Sequence, residues 1–349
     1  MTALLFLTAQ TLFCQAQPRM RAHFFPVGQA HATLLEFPCG TALVDAGAQD
    51  EESAERLIHY LDRFFRARPD LNRTLDLVLI THNHIDHNLA LPLVAAKFTI
   101  RSYVDNGIRT GSGKAGAAWI RANAKTGGRD IRLREITWDA VQQAGPGAGL
   151  TDADVDPVNC PSIDPRIRIL SGRVLKRPAK WTAEAFKDAN NHSLVTRVDF
   201  GEASFLFMGD LEEEGIGALL KGYPGSYAAA LDADVIQVGH HGSGNATTKE
   251  LLAAVTPTIA VIPVGAWDFG KGAGKGYTTN AYGHPRIATL DLLRDAIAGR
   301  RSEEISIMAA TGAQKFAPYL VEKRIYATAW DGLVRVSAGS DGRYIVTRE

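Results

Sequence analysis

Short apolar runs alternate with stretches of helical spacing along this chain, the pattern of strands interleaved with helices. His23 to Val27 and Ala32 to Phe37 read as strands joined by a turn at 28–31, and Thr41 to Asp45 as the next strand. Leu57, Ile58, Leu61 and Phe65 repeat at helical spacing over 52–65. Leu75 to Ile80 is apolar apart from Asp76, as a buried parallel strand would be. A short helix over 89–96 and a strand over 98–104 follow. Further on, 193–200 and 203–208 form a hairpin turned by Gly201-Glu202. Helix 212–220, strand 233–238, helix 247–254, strand 259–264 and helix 286–297 come next. Strands 304–308 and 325–329 and a hairpin over 332–346 close the chain. Two β-rich halves, each carrying helices, predict an α/β fold of two sheets between helical layers, an αββα sandwich.

The stretch 105–190 breaks this regularity. Gly107 to Lys114 and Gly145 to Gly149 are loop-like, with a helix over 117–124 between them and a strand over 166–170 beyond. Long irregular stretches inside a domain are more often functional than merely connecting, so this one reads as an insertion that selects substrate. The run ending in Lys114 is not a phosphate-binding loop, because its spacing fails and no strand is expected to feed a helix there. No internal repeat is visible.

Composition changes little. The 349 residues, 46% hydrophobic and 22% charged, are ordinary for a globular protein. Lys plus Arg equals Asp plus Glu at 38 each, which excludes a global field for nucleic acid or anionic membrane. A local groove remains open, with Arg101, Arg109, Lys114, Arg121, Lys125, Arg129, Arg132 and Arg134 available. A solvated surface is the simpler reading of those charges. Three cysteines match neither a disulfide framework nor a Cys-x-x-Cys site. Cys39 and Cys160 read as buried thiols, with pairing as the alternative in an oxidising compartment. Residues 1–19 are apolar but too short to span a bilayer. They read as a secretory signal or unstructured leader, although the usual positive start is missing, with the folded domain over 20–349. The protein is periplasmic or secreted if that leader is a signal and cytoplasmic otherwise, with no stable membrane span in the mature chain. Oligomeric state is not legible.

The chemistry concentrates where strand 75–80 ends, at Thr81-His82-Asn83-His84-Ile85-Asp86-His87. Ligands of open α/β sheets gather at the carboxyl ends of strands. Imidazole nitrogen and carboxylate oxygen are the usual donors for zinc and related ions. His82 and His84, two apart, point the same way from an extended backbone. Asp45, Asp210 and His240 also lie just past apolar strands. Seven of the ten histidines fall in such loops (His82, His84, His87, His192, His240, His241 and His284), a clustering that favours a metal centre. Asp76 and Asp234, near strand starts, read as capping or surface groups, and His23 and His59 as structural.

Taken together, the motifs resemble the metallo-β-lactamase superfamily, and most closely its branch of ComEC-type competence proteins and phosphorylcholine esterases. The matching pieces, in order, are Val27-Gly28-Gln29, Leu43-Val44-Asp45-Ala46-Gly47, the His-x-His-x-Asp-His run, Asn190-Asn191-His192-Ser193, Met208-Gly209-Asp210, Gly239-His240-His241-Gly242-Ser243 and Tyr282-Gly283-His284-Pro285. The resemblance implies one or two metal ions, usually zinc with manganese as the alternative. His82, His84 and His192 would hold the first ion; Asp86, His87 and His240 the second; Asp210 would bridge them. Asp86 and Asp210 would also serve catalysis. His241 and His284 would touch substrate or donate a proton to a leaving group. Asp45 would orient a ligand imidazole, and His31 stands where relatives often carry Asp. One departure is Asn88-Leu89-Ala90, where relatives have a Gly-Gly pair. The implied activity is metal-assisted hydrolysis through an activated hydroxide, most naturally of a phosphodiester or phosphoester, either a small molecule or nucleic acid. Lactone, thioester or β-lactam cleavage is the alternative on the same centre, and a non-catalytic metal-bearing binding module is the other.

Overall fold

Leu77 and Leu79 point to one side of their strand and Val78 to the other. That alternation sorts the apolar residues of the computed structural model, which describes residues 19–272 and 277–349, into three cores. The expected secretory leader lies outside the described residues, apart from Arg19.

The first sheet has eight strands in the order β16-β15-β1-β2-β3-β4-β5-β6. They are β1 (Arg19–Phe24), β2 (Ala32–Glu36), β3 (Thr41–Ala46), β4 (Thr74–Leu79), β5 (Thr99–Asp105), β6 (Arg132–Glu135), β15 (Val334–Gly339) and β16 (Tyr344–Arg348). Strands β3 to β6 run parallel, and the rest pair antiparallel. The second sheet is ordered β14-β11-β10-β9-β8-β7, from β7 (Arg166–Ile169), β8 (Thr196–Phe200), β9 (Ala203–Phe207), β10 (Val235–Gln237), β11 (Ile259–Ile262) and β14 (Ile325–Ala327). A separate hairpin joins β12 (Arg300–Gly312) to β13 (Lys315–Lys323).

Between the sheets, Phe24, Leu35, Leu77 and Leu79 of the first meet Val198, Phe205, Phe207 and Val261 of the second. On the outer face of the first sheet, Leu57, Leu61 and Phe65 of α1 (Glu51–Ala67) pack on Leu34, Leu43 and Val78. Helices α2 (Ile85–Asn88), α3 (Leu91–Lys97) and α4 (Lys114–Asn123) follow in the same half. Next come α5 (Trp138–Gln143) and α6 (Ala183–Lys187). On the outer face of the second sheet lie α7 (Glu213–Gly222), α8 (Lys249–Val255) and α10 (Ile287–Ala296), with the short α9 (Thr279–Tyr282) and α11 (Thr328–Asp331) nearby in sequence. The result is the expected four-layer αββα sandwich. Asp50 starts α1 with a reciprocal cap: its carboxylate accepts from Ser53 N at 2.8 Å while Ser53 Oγ accepts from Asp50 N.

Three expectations change. The 105–190 stretch supplies an edge strand to each sheet, β6 and β7, so it is the crossover between them as well as a loop region. β5 does lead into α4, so only the spacing argues against a phosphate loop there. Cys39 and Cys160 form a disulfide with Cα atoms 5.5 Å apart, not two free thiols. It ties the turn after β2 to the crossover across 121 residues of chain, a separation no local pattern reveals. Asp76 and Asp234 are likewise tied in: Asp76 accepts from Thr41 N at 3.0 Å and Asp234 from Tyr344 Oη at 2.8 Å.

Two stability measurements follow. Removing the disulfide by paired Cys39→Ser and Cys160→Ser substitution is expected to cost about 2–5 kcal/mol in denaturant unfolding; no loss would show that the two sulfurs do not pair. Glu36 is buried among His23, Arg21 and Arg68, at 3.1, 2.9 and 2.6 Å. Burial alone would raise its pKa, but these partners hold it down at about 2. Its contribution is therefore present above the unfolded pKa near 4.5 and lost as pH falls toward 2. Glu36→Gln should flatten the acid limb of stability by up to about 3 kcal/mol, an unchanged limb being the contrary result.

Candidate metal centre

β4 ends at Leu79, and the chain turns into the histidine run. His82, His84 and His87 enter from this loop, Asp210 from the loop after β9, and His240 and His241 from the loop after β10. Asp210 is the meeting point. Its Oδ2 lies 3.2 Å from His87 Nε2, 3.6 Å from His241 Nε2, and 4.0 Å from Nε2 of both His82 and His240. His82 Nε2 is 3.1 Å from His84 Nδ1. Donor atoms of Asp86, His87, Asp210 and His241 all fall within 4.8 Å of one another, close enough to share an ion.

The supporting hydrogen bonds decide which ring nitrogens face inward. Asp45, fully buried at the end of β3, accepts from His87 Nδ1 at 2.7 Å and His31 Nδ1 at 2.8 Å. It also accepts from Thr81 N at 2.7 Å. His87 Nδ1 thus donates and Nε2 is turned toward Asp210; burial opposes protonation of this ring, but Asp210 and Asp45 raise its pKa well above the ordinary value. His241 Nδ1 donates to Pro263 O at 2.7 Å, which turns its Nε2 inward in the same way. Ser193 Oγ accepts from Asp210 N at 3.2 Å. Gly47 is obligatory beneath this network: a Cβ there would sit 1.7 Å from the carbonyl of Asp86. Asp45, His240 and His241 adopt φ of 57°, 48° and 53°, left-handed values that cost non-glycine residues roughly 1–3 kcal/mol each.

Several observations show that a divalent cation fits. His87 Nε2, His241 Nε2 and Asp210 Oδ1 are buried without hydrogen-bond partners. The cleft, about 420 Å³, is lined by Asp86, Asp188, Asp210 and Glu212 and by no Lys or Arg among the described residues. Its field is correspondingly negative. Burial works against protonation of His240, yet Asp210 and Glu212 push its pKa up to about 9. Burial would also raise the Asp210 pKa, but the imidazoles of His87, His241 and His240 hold it well below the ordinary range.

Not every expected residue joins the cluster. His192 is turned away: its Nδ1 accepts from Val174 N at 3.1 Å and its Nε2 donates to Phe186 O at 2.7 Å, between the rings of Trp181 and Phe186. Neither nitrogen is left for a metal, and its neighbours serve as struts. Asn190 donates to Glu212, and Ser193 steadies Asp210. Of the adjacent pair, His241 rather than His240 is grouped with Asp86 and His87, while His240 Nδ1 faces Glu212 at 3.2 Å. A sequence gives no way to choose between neighbouring histidines in a left-handed loop. His284 lines the cleft beside Tyr282, their rings 5.6 Å apart. Gln29 Nε2 donates to its Nδ1 at 3.0 Å. Burial, then His240 and His241, lower its pKa well below the ordinary value, so it is neutral. Glu212 is a cleft residue that no motif marked out, and Gln29, part of the Val27-Gly28-Gln29 motif, is a cleft residue to which the motif gave no role.

The Asn88-Leu89-Ala90 departure is absorbed nearby. Asn88 Nδ2 donates to Asn83 Oδ1 at 2.9 Å and Gly113 O at 3.0 Å. A Cβ at Gly113 would lie 2.4 Å from Asn88 Oδ1, so the space its side chain fills depends on a glycine supplied from the next loop.

The model of the metallo-beta-lactamase superfamily matches residues 25–266, more than half of the chain. ComE operon protein 3 of Bacillus subtilis is 36% identical over 105 residues, 30% of this chain and 11% of that protein. Competence protein ComA of Neisseria gonorrhoeae is 36% identical over 107 residues, 31% of this chain and 13% of that protein. The matched stretches thus span little more than a tenth of either relative. Among solved structures, the metallo-beta-lactamase fold protein YhfI from Bacillus subtilis aligns over 76% of this chain and 94% of its own at 12% identity, with a TM-score of 0.39, too distant a likeness to bear on function.

The geometry separates the histidines experimentally. His241→Ala and Asp45→Asn are expected to weaken metal binding by about 10- to 100-fold, measured by competition with a chromophoric chelator. His192→Ala should leave metal stoichiometry unchanged while lowering thermal stability. Loss of an ion in His192→Ala alone would restore it as a ligand.

Proposed function

This chain belongs to the metallo-beta-lactamase superfamily of hydrolases, and from that premise we propose that it is a zinc- or manganese-dependent hydrolase of phosphodiesters or phosphoesters. The observation that carries the reading is the convergence of buried, unpartnered imidazole and carboxylate atoms on Asp210. His82, His84 and Asp210 would hold one ion, and Asp86, His87, His241 and Asp210 the other. When bound, such ions supply Lewis acidity and a source of hydroxide near neutral pH.

The chain's own residues do the rest. Asp45 and Pro263 O orient the rings of His87 and His241. Gln29 occupies Nδ1 of neutral His284, leaving Nε2 as its protonated nitrogen, suited to hydrogen-bond a substrate oxygen. Tyr277 and Tyr282 stand at the cleft as aromatic faces for a bound group.

A small ester is favoured over nucleic acid. Arg101, Arg109, Arg121, Lys125, Arg132 and Arg134 are each paired with a carboxylate: Asp76, Glu135, Asp105, Asp130, Asp154 and Asp152 respectively. Of the eight basic residues over 101–134, only Lys114 and Arg129 are outside such pairs among the described residues, which leaves little free positive charge for a phosphate backbone. The competence relatives keep nucleic acid as the second substrate class. The Cys39–Cys160 pairing supports an oxidising location outside the cytoplasm. Among the described residues no helix is long and apolar enough to cross a membrane.

The test is turnover of bis-p-nitrophenyl phosphate by protein stripped of metal and reloaded with zinc or manganese. Saturable, metal-dependent release of p-nitrophenolate is expected, with Asp210→Asn slower by about 100-fold or more. Absence of that activity alongside clear lactone or β-lactam cleavage would move the protein to acyl chemistry.

A further inference from the structure

The β12–β13 hairpin belongs to neither sheet and lies beyond residue 266, where the superfamily match ends. One face of it packs into the core of the second half through Ile307, Ala309 and Val321. Ile305, Met308 and Pro318 of this hairpin, with Trp267, Trp330 and His284, line a cavity of about 480 Å³. His284 also lines the metal cleft, so the two spaces meet at one side chain. We propose that this cavity binds the uncharged aromatic or aliphatic arm of the ester whose reactive group sits in the cleft.

The proposal rests on the ester-hydrolase reading and adds to it the source of specificity. Its volume suits a small-molecule group, since such sites run from about 300 to 1,000 Å³. Two indoles, a thioether and two prolines (the second is Pro285) offer flat, polarisable surface. Asp268 is the only carboxylate, and no Lys or Arg lines the cavity among the described residues. A further phosphate, as in a polynucleotide, would meet the Asp268 carboxylate, and the neighbouring cation, Lys271, is already engaged over the Trp267 ring with Nζ 5.2 Å from its centroid. The occupant is therefore an uncharged arm of a small ester.

The experiment pairs binding with turnover. Binding compares 4-nitrophenylphosphonate with methylphosphonate, whose C–P bonds resist hydrolysis, by calorimetry on zinc-loaded protein. Turnover compares bis-p-nitrophenyl phosphate with methyl p-nitrophenyl phosphate, which share a leaving group. The protein is expected to prefer the aryl ligand and the aryl substrate by about 10-fold or more. Trp267→Ala and Met308→Asp, both at half-buried positions, should each cut that preference by about fivefold or more. Equal affinity for the two phosphonates, or an aryl preference that both variants keep, overturns the proposal. Aryl-selective binding that the variants abolish, without hydrolysis of either diester, upholds the cavity and refutes the phosphoester reading. Hydrolysis of both diesters at equal efficiency refutes the cavity alone.

Discussion

Asp45, Asp86, Asp210 and Glu212 are gathered in one largely buried corner, and no Lys or Arg among the described residues lines the cleft they share or support. Carboxylates withdrawn from water need compensating charge or hydrogen bonds. Asp45 has its own, from His31, His87 and Thr81. Asp210 does not, since one of its oxygens has no partner at all. Burial opposes protonation of the surrounding imidazoles: it keeps the His82 pKa well below the ordinary value, while at His240 the carboxylates of Asp210 and Glu212 overcome it and push the pKa up to about 9. A divalent ion would resolve this conflict, satisfying carboxylate oxygens and inward-facing ring nitrogens together. The requirement explains why four strand ends from two sheets are held so close.

Holding them there costs backbone strain, and the sheets absorb it. Asp45, His240 and His241 keep left-handed φ values only because hydrogen bonds on both sides determine their positions. β3 and β4 run parallel and in register, so Asp45 reaches Thr81 and His87 across the strand ends. β9 and β10 do the same in the second sheet, where Gln237 accepts from Met208 N and Gly209 N just before Asp210. The centre is thus built at the edge shared by the sheets, and its precision derives from the strands, not from the loops that carry the ligands.

Outside this shared plan lie the parts that give the chain its individuality. The 105–190 crossover is locked to the first sheet by the Cys39–Cys160 bond and by ion pairs such as Arg121 with Asp105. His192 belongs to that locking, since it joins the 174–186 segment to the strut that carries Ser193. The β12–β13 hairpin adds an apolar wall beside the cleft.

Most strands and helices outside 105–190, the αββα class and the place of the histidine run at a strand end were determined by sequence, because they follow from local periodicity and from donors adjacent along the chain. β6, α5, α6 and β13 were not, since their short or partly exposed runs carry no clear period. Local pattern also marked Asp210, since a turn after an apolar strand is itself a local feature. Tertiary structure alone decided the rest. A histidine is a ligand only if a ring nitrogen faces inward, and that depends on a distant acceptor: Pro263 O for His241, Asp45 for His87. The same contacts across the fold removed His192, whose partners are Val174 and Phe186, and joined two cysteines 121 residues apart. Spacing along a chain specifies which side chains are neighbours in sequence. Which atoms are left without a partner is set only when separate segments have packed.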